Sequence, residues 1–309
     1  MADKESTRVA YGKALVTLGE KNPDVVVLDA DLSCSTQTHF FAKKFPHRFF
    51  NVGVSEQDLM GTAAGLALGG KTVFASSFAM FATGRAFEIV RNSIAYPHLH
   101  VIVAASHAGV TVGEDGASHQ AVVDVALMRA LPHMRVVVPG DPLEAQQMVR
   151  TLAEEEGPFY LRLMRSKIPY IYDETYKFQL GKASVLKRGK DGALVAMGGM
   201  VSECLEAARS LAKDGISLSV VNMSTIKPLD EECLLALASE VPFVMTVEEH
   251  SIIGGLGGAV CECLAAKARI PVYRKGLNDV FGQSGTAEGL LEHYGLTAAS
   301  IQETVKKIL

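Results

Sequence analysis

The 309-residue chain has no tryptophan, only five cysteines, no long uninterrupted apolar run and no block of like charge. Each absence removes a class of protein. A membrane-spanning helix takes about 20 consecutive apolar residues, and a secretory leader needs an apolar core close behind its first charges. The opening MADKESTRVAYGKAL offers neither, so no membrane association is expected and a cytoplasmic location is. Lys+Arg number 30 against 34 Asp+Glu, a net charge of -4 spread along the chain, which leaves no basic stripe for a nucleic acid. Cys34, Cys204, Cys233, Cys261 and Cys263 form no C-x-x-C pair, and their odd number suits a reducing compartment better than a disulfide framework. Cys261 and Cys263 lie two apart in a helical stretch and so face different sides, which argues against a metal role.

What the chain does have is 48% hydrophobic residues over a length sufficient for two cores. Short β-branched runs at 24–31, 48–54, 71–77, 100–106, 135–141 and 158–165 alternate with stretches of helical period such as EQDLMGTAAGLALGG and DPLEAQQMVRTLAEEE. A polar, aromatic and glycine-containing segment at 166–192 reads as a linker plus an edge strand, and further strands are expected at 193–198, 217–223, 242–249 and 271–277. Strands apolar on both faces and spaced by helices imply parallel sheets covered on both sides. The expected fold is therefore α/β, with two open, mostly parallel sheets flanked by helices, one in residues 1–180 and one in 181–309. No repeat period or low-complexity segment suggests a solenoid.

Open parallel sheets bind ligands beyond the carboxyl ends of their strands, which directs attention to the loops. Those of the first half, DADLSCS, GVSEQ, SSFAMF, SHAGVTVGEDGASHQ and MRSKIP, are rich in His, Asp, Glu and Arg; those of the second have fewer convergent charged groups. Glu56 opens a helix, where the macrodipole alone would favour a carboxylate. Phe78 and Phe81 could fill a core or clamp a flat heterocycle. The segment holding His107, Glu114, Asp115 and His119 also contains Gly109, Gly113 and Gly116. Glycine inside a helix or strand is destabilising by about 0.5–1 kcal/mol, so this is a loop in specific conformations, suited to binding or proton transfer. Its spacing fits no zinc signature. Arg8, Arg165 and Lys167 lie near element ends; each alone reads as a surface charge, though an arginine fork suits a phosphate. In the second half, Lys227, Glu249, His250 and the GGLGG run at 254–258 read as a turn or subunit contact in preference to an ion site.

Taken together, DADLSCS, GVSEQDLMG, SSFAMF, TVGEDGASHQ and the later KPLD and EEH elements resemble the transketolase family over essentially the whole chain. The resemblance implies that Glu56 hydrogen-bonds the aminopyrimidine ring of thiamine diphosphate and favours the tautomer that takes the thiazolium proton. It implies that Phe78 and Phe81 pack against that ring, although Gly84 stands where the family often has another aromatic, with Phe87 as an open substitute. Arg8, Ser35, His107 and Arg165 match positions that hold a sugar phosphate. Asp115 matches a reader of the substrate's C2 hydroxyl and His119 a contact to hydroxyls near the reacting carbon, which makes Glu56, Asp115 and His119 the catalytic candidates. The implied reaction moves a two-carbon glycolaldehyde unit from a ketose phosphate to an aldose phosphate.

Complete members of the family also carry a Gly-Asp-Gly motif with a later Asn, which hold the metal and the diphosphate. Here only EDG at 114–116 and KDG at 190–192 come near, without that context. The resemblance thus implies the C-terminal subunit of a split transketolase, active only with an N-terminal, diphosphate-binding partner subunit that holds Mg²⁺ (or Ca²⁺). It further implies self-association in an α2β2 assembly, with no metal ligand in this chain. Three other readings compete. A split relative of 1-deoxyxylulose-5-phosphate synthase shares STIKPLD and FGQSGTAEGLLEHYGL. The β subunits of 2-oxoacid dehydrogenases would not need Arg8, His107 and Arg165 together. A non-catalytic assembly or regulatory subunit would not need Glu56, both phenylalanines, Asp115 and both histidines.

Overall fold

The computed structural model of the chain describes residues 3–309. Its largest sheet is built from β2 (Val25–Asp29), β3 (Phe49–Asn51), β4 (Thr72–Phe78), β5 (Val101–Ser106), β6 (Arg135–Val137) and β7 (Phe159–Arg162). Strand β1 (Lys4–Ser6) pairs separately and antiparallel with β8 (Lys167–Pro169). A second sheet holds β9 (Ser184–Lys187), β10 (Gly192–Ala196), β11 (Leu218–Asn222), β13 (Val244–Ser251) and β14 (Val272–Leu277), in the order β14-β13-β10-β11-β9. Only its edge strand β9 runs antiparallel. The chain is thus an α/β protein with two mostly parallel sheets flanked by helices.

The run VVVLD in β2 shows why the sequence takes this form. Every residue is buried, and the pleat sends Val25 and Val27 to one core while Val26 and Leu28 go to the other. In β4 and β5, Phe74, Ile102 and Ala104 join the first of these cores and Val73, Ala75, Val101 and Val103 the second. Helices must cover both faces, which dictates parallel strands with crossover connections.

One strand departs from the sequence reading. Residues 225–227, outside every strand expected from the sequence, form β12 (Thr225–Lys227), which crosses back and pairs antiparallel with β6. The first sheet therefore has seven strands, in the order β12-β6-β7-β5-β4-β2-β3. The Lys227 ammonium donates to the carbonyls of Arg129 (2.9 Å) and Leu131 (2.5 Å), closing the end of the helix Asp124–Ala130.

The other residues left open in the second half also hold structure together. Glu248 accepts from the amides of Leu256 (2.6 Å) and Gly257 (2.8 Å) at the start of the helix Leu256–Leu264, and a Cβ on Gly255 would overlap that carboxylate. His250 donates from Nδ1 to the Ser251 carbonyl (2.7 Å) and accepts at Nε2 from the Ala126 amide (3.4 Å). Glu249 accepts at Oε1 from the Thr111 amide (2.6 Å).

Between the two sheets lies a fully buried charge cluster. Arg162 Nε donates to Asp124 Oδ2 (2.7 Å), and its Nη2 to Asp124 Oδ1 (3.2 Å), the Ala121 carbonyl (3.2 Å) and the Glu249 carbonyl (3.0 Å). Tyr160 donates its hydroxyl to Asp124 Oδ2 (2.6 Å). Removing one partner of a buried ion pair leaves the other charge uncompensated, at a cost of about 3–5 kcal/mol. Asp124→Ala is expected to lower unfolding stability by about that much in urea titration. A loss below about 1 kcal/mol, the ceiling typical of exposed pairs, would contradict this account of the interface.

Candidate functional site

The polar loops gather at the carboxyl ends of β2, β4, β5 and β7, with the start of the helix Thr7–Lys21 beside them. Asp29, buried at the end of β2, shapes the first loop. It accepts from the Leu32 amide (2.6 Å) and from the hydroxyls of Thr36 (2.6 Å) and Thr38 (2.8 Å), which folds residues 32–38 into a tight turn. Ser35 in that turn offers its carbonyl to Arg8 Nη1 (2.6 Å).

Phe78 ends β4, and the chain then winds into a wide π-turn, Phe81–Arg85, a distortion often found at functional sites. Phe78 and Phe81 stack with centroids 6.2 Å apart and planes within 17°. The His107 ring lies 3.8 Å from Phe78 on a nearly parallel plane, and His119 meets Phe81 edge-on at 5.2 Å. Phe87 packs on the core cluster of the sheet, and Gly84 sits against the Met80 methyl.

His107 follows β5 in a left-handed conformation (φ +60°), with Nδ1 2.8 Å from the Ser106 hydroxyl. Its pKa is pushed down to about 3, first by burial and then by the positive charges of Arg8 and Arg165. The imidazole is therefore neutral near pH 7. Arg8 is itself lowered by burial and by Arg165, and its Nε is buried with no partner. Arg165 donates to the Val112 carbonyl and lies 3.4 Å from Glu114 and 3.7 Å from Asp115.

These residues converge. Arg8, Ser35, Phe78, His107, Asp115, His119 and Arg165 line one cleft of about 500 Å³. Phe81 adjoins it through Phe78. Glu56 stands apart from this cleft, at the first turn of the helix Glu56–Leu68, where it is 2% exposed. Its Oε2 is buried without a hydrogen bond and lies 3.9 Å from Arg85 Nη1, whose guanidinium also sits 5.6 Å from the Phe81 ring centre. Lys167 is exposed on β8 and does not line the cleft. Cys34 and Gln37 do line it and were not singled out from the sequence. Gln37 has φ +71°, and the only signal for it was its place in the polar turn after DADLSC.

Fold and cleft together define an α/β protein of two mostly parallel sheets, with its polar cleft beyond the strand ends of the first. Residues 3–170 match the transketolase pyrimidine binding domain and residues 181–301 the transketolase C-terminal domain, and the chain belongs to the transketolase family. It is 52% identical over 301 residues to a Methanocaldococcus jannaschii protein named for the C-terminal section of transketolase, covering 96% of this chain and 94% of that one. It is 39% identical to a 6-deoxy-6-sulfo-D-fructose transketolase subunit of a Clostridium species, covering 97% and 94%. A solved structure described as "Split gene transketolase, inactive beta4 tetramer" superposes with a TM-score of 0.91 at 54% identity, covering 98% of this chain and 97% of that one.

The low pKa of His107 makes stability depend on pH. An unfolded histidine titrates near 6.5 and the folded one near 3, so the unfolded chain takes up the proton first as pH falls. The stability that neutral His107 contributes is full above about pH 6.5 and is lost as pH falls from there towards the folded value. One proton is worth about 1.4 kcal/mol per pH unit, so His107→Asn is expected to reduce the acid slope of unfolding free energy between pH 6 and 5 by up to about that amount. Denaturant titrations at closely spaced pH values measure this, and an unaltered slope would mean that His107 titrates normally in the fold.

Proposed function

We propose that this chain is the C-terminal subunit of a split transketolase, its residues 1–180 the pyrimidine-binding and 181–309 the C-terminal domain. On this reading it works in the cytoplasm with a separate diphosphate-binding subunit, in an α2β2 assembly. The reaction is transfer of a glycolaldehyde unit from a ketose phosphate to an aldose phosphate. The observation that carries the proposal is the convergence of Arg8, Arg165, His107, Asp115 and His119 on one cleft beside the Phe78 ring.

The site fits thiamine diphosphate on the evidence of Glu56, whose buried Oε2 has no hydrogen bond and only a long ion pair to Arg85 at 3.9 Å, an arrangement that would be costly without a further donor. A ring nitrogen donating to this oxygen would satisfy it, and Phe78 with Phe81 would supply flat apolar walls. The cofactor, when bound, supplies the carbon nucleophile, a chemistry the protein orients but does not perform. Its diphosphate and Mg²⁺ (or Ca²⁺) are assigned to the partner subunit. The solved relative's description as an inactive tetramer of beta chains supports that division of labour.

The remaining roles follow from the electrostatics. Neutral His107 offers a hydrogen bond and no charge, so a substrate phosphate draws its charge balance from Arg8 and Arg165, which repel each other until an anion arrives. Ser35 completes the phosphate pocket. Asp115 reads the C2 hydroxyl, and His119, edge-on to Phe81, contacts hydroxyls near the reacting carbon. Asp115 is exposed and His119 half-buried in this chain; once substrate and partner subunit cover them, a group left unpaired would cost about 1–3 kcal/mol, which is the basis for stereochemical discrimination.

In the complex reconstituted with its diphosphate-binding subunit, Glu56→Gln is expected to lower glycolaldehyde transfer by about 100-fold or more, within the range of general acid–base contributions. Unchanged activity would point to an assembly role instead. Pyruvate serving in place of a ketose phosphate as donor would contradict the transketolase reading and favour a deoxyxylulose-phosphate synthase activity.

A further inference from the structure

The loop that carries Asp115 and His119 is held from the far side by the second domain. Gln120, adjacent to His119, is 2% exposed and outside the cleft lining. Its Nε2 donates to the Val110 carbonyl (3.1 Å) within the loop and to the Gln283 carbonyl (2.9 Å) in the second domain. The second-domain segment 278–286 meets the loop so closely that side chains are excluded. A Cβ on Gly282 would overlap Gln120 Oε1, and one on Gly116 (φ +75°) would come within 2.5 Å of the Ser284 hydroxyl. Glu249 grips the loop's other end through the Thr111 amide, leaving no room for a Cβ on Gly109.

Backbone turns hold the loop's chain path, with the Gly116 amide on the Gly113 carbonyl (3.2 Å) and the His119 amide on the Gly116 carbonyl (3.0 Å). Its functional side chains have little support of their own: His119 Nδ1 bonds only its neighbour Ser118 (2.9 Å), and Asp115 faces Arg165 at 3.7 Å, longer than a hydrogen bond. The contacts from the second domain therefore place these turns, and with them Asp115 and His119, relative to the cleft. We infer that the 278–286 segment is a positioning device for this loop, with Gln120 and Gly282 as positioning residues that act through Asp115 and His119. A function for the second domain follows: it fixes the hydroxyl-reading side chains from behind, without touching substrate. The substrate part of this inference rests on the proposed transketolase activity; the positioning part does not.

Two variants test it. Gln120→Met removes both donated bonds at nearly the same length, and Gly282→Ala drives a methyl into the amide. Hydrogen exchange on the isolated chain is expected to speed up at least tenfold across residues 113–119 in both, while amides of β5 keep their protection. If Gln120→Met proves too unstable, Ser284→Ala, which only trims the contact to Gly116, should show the same change more weakly. In the reconstituted complex, the ratio of kcat/KM between acceptor aldose phosphates epimeric at C2 is expected to fall at least tenfold in Gln120→Met, with kcat falling less. Loop exchange unchanged from the parent in the folded variants would overturn the inference, as would an unchanged epimer ratio alongside faster exchange. An inactive parent complex would count against the proposed function alone, since the exchange experiment decides the positioning without it.

Discussion

Arg162 carries a positive charge in a buried place, and its hydrogen bonds tie the two sheets together. The guanidinium takes its counter-charge from Asp124, at the start of the helix that follows the glycine-containing loop 107–120, and its remaining bonds from the carbonyls of Ala121 and Glu249. One partner lies at the base of the loop and another on β13 of the second sheet, so the charge ties three segments that are far apart in sequence. Fork geometry leaves little freedom to slide. A buried pair of this kind specifies position more than it adds stability, since its desolvation offsets much of its attraction.

With the second sheet held there, its loops become the back wall of the first sheet's functional edge. Glycines 109, 113 and 116 let the backbone turn through left-handed conformations and also let the second domain approach. The front of the same loop faces the aromatic group and the two arginines. In the proposed enzyme, the carboxylate of Glu56 and the anion pocket serve different ends of the ligand set, and both are left unfinished in this chain. Glu56 Oε2 and Arg8 Nε are buried without a hydrogen bond, and in the proposed enzyme a bound ligand supplies the partner that each such atom calls for.

Much of this could be read from the residues in order. The central strands announced themselves as β-branched runs apolar on both faces, and the polar loops after them gave the cleft residues because strand ends collect on one edge of a parallel sheet. What escaped were features whose partners lie far along the chain. Glu249 meets Thr111 across 138 residues and Lys227 meets Arg129 across 98, and no local pattern signals either contact. Strand β12 has only three residues and pairs with the other domain's sheet, so periodicity could not place it. Cys34 and Gln37 reach the cleft because Asp29 curls their turn inward, a consequence of hydrogen bonds and not of residue type.

The central claim is that this chain contributes one half of a shared site. It is tested most directly by calorimetric titration of thiamine diphosphate, with Mg²⁺ present, into the isolated chain and into its mixture with the diphosphate-binding subunit. The account predicts no saturable binding to the chain alone and stoichiometric, Glu56-dependent binding to the mixture. Tight binding by the isolated chain, accompanied by glycolaldehyde transfer, would contradict it.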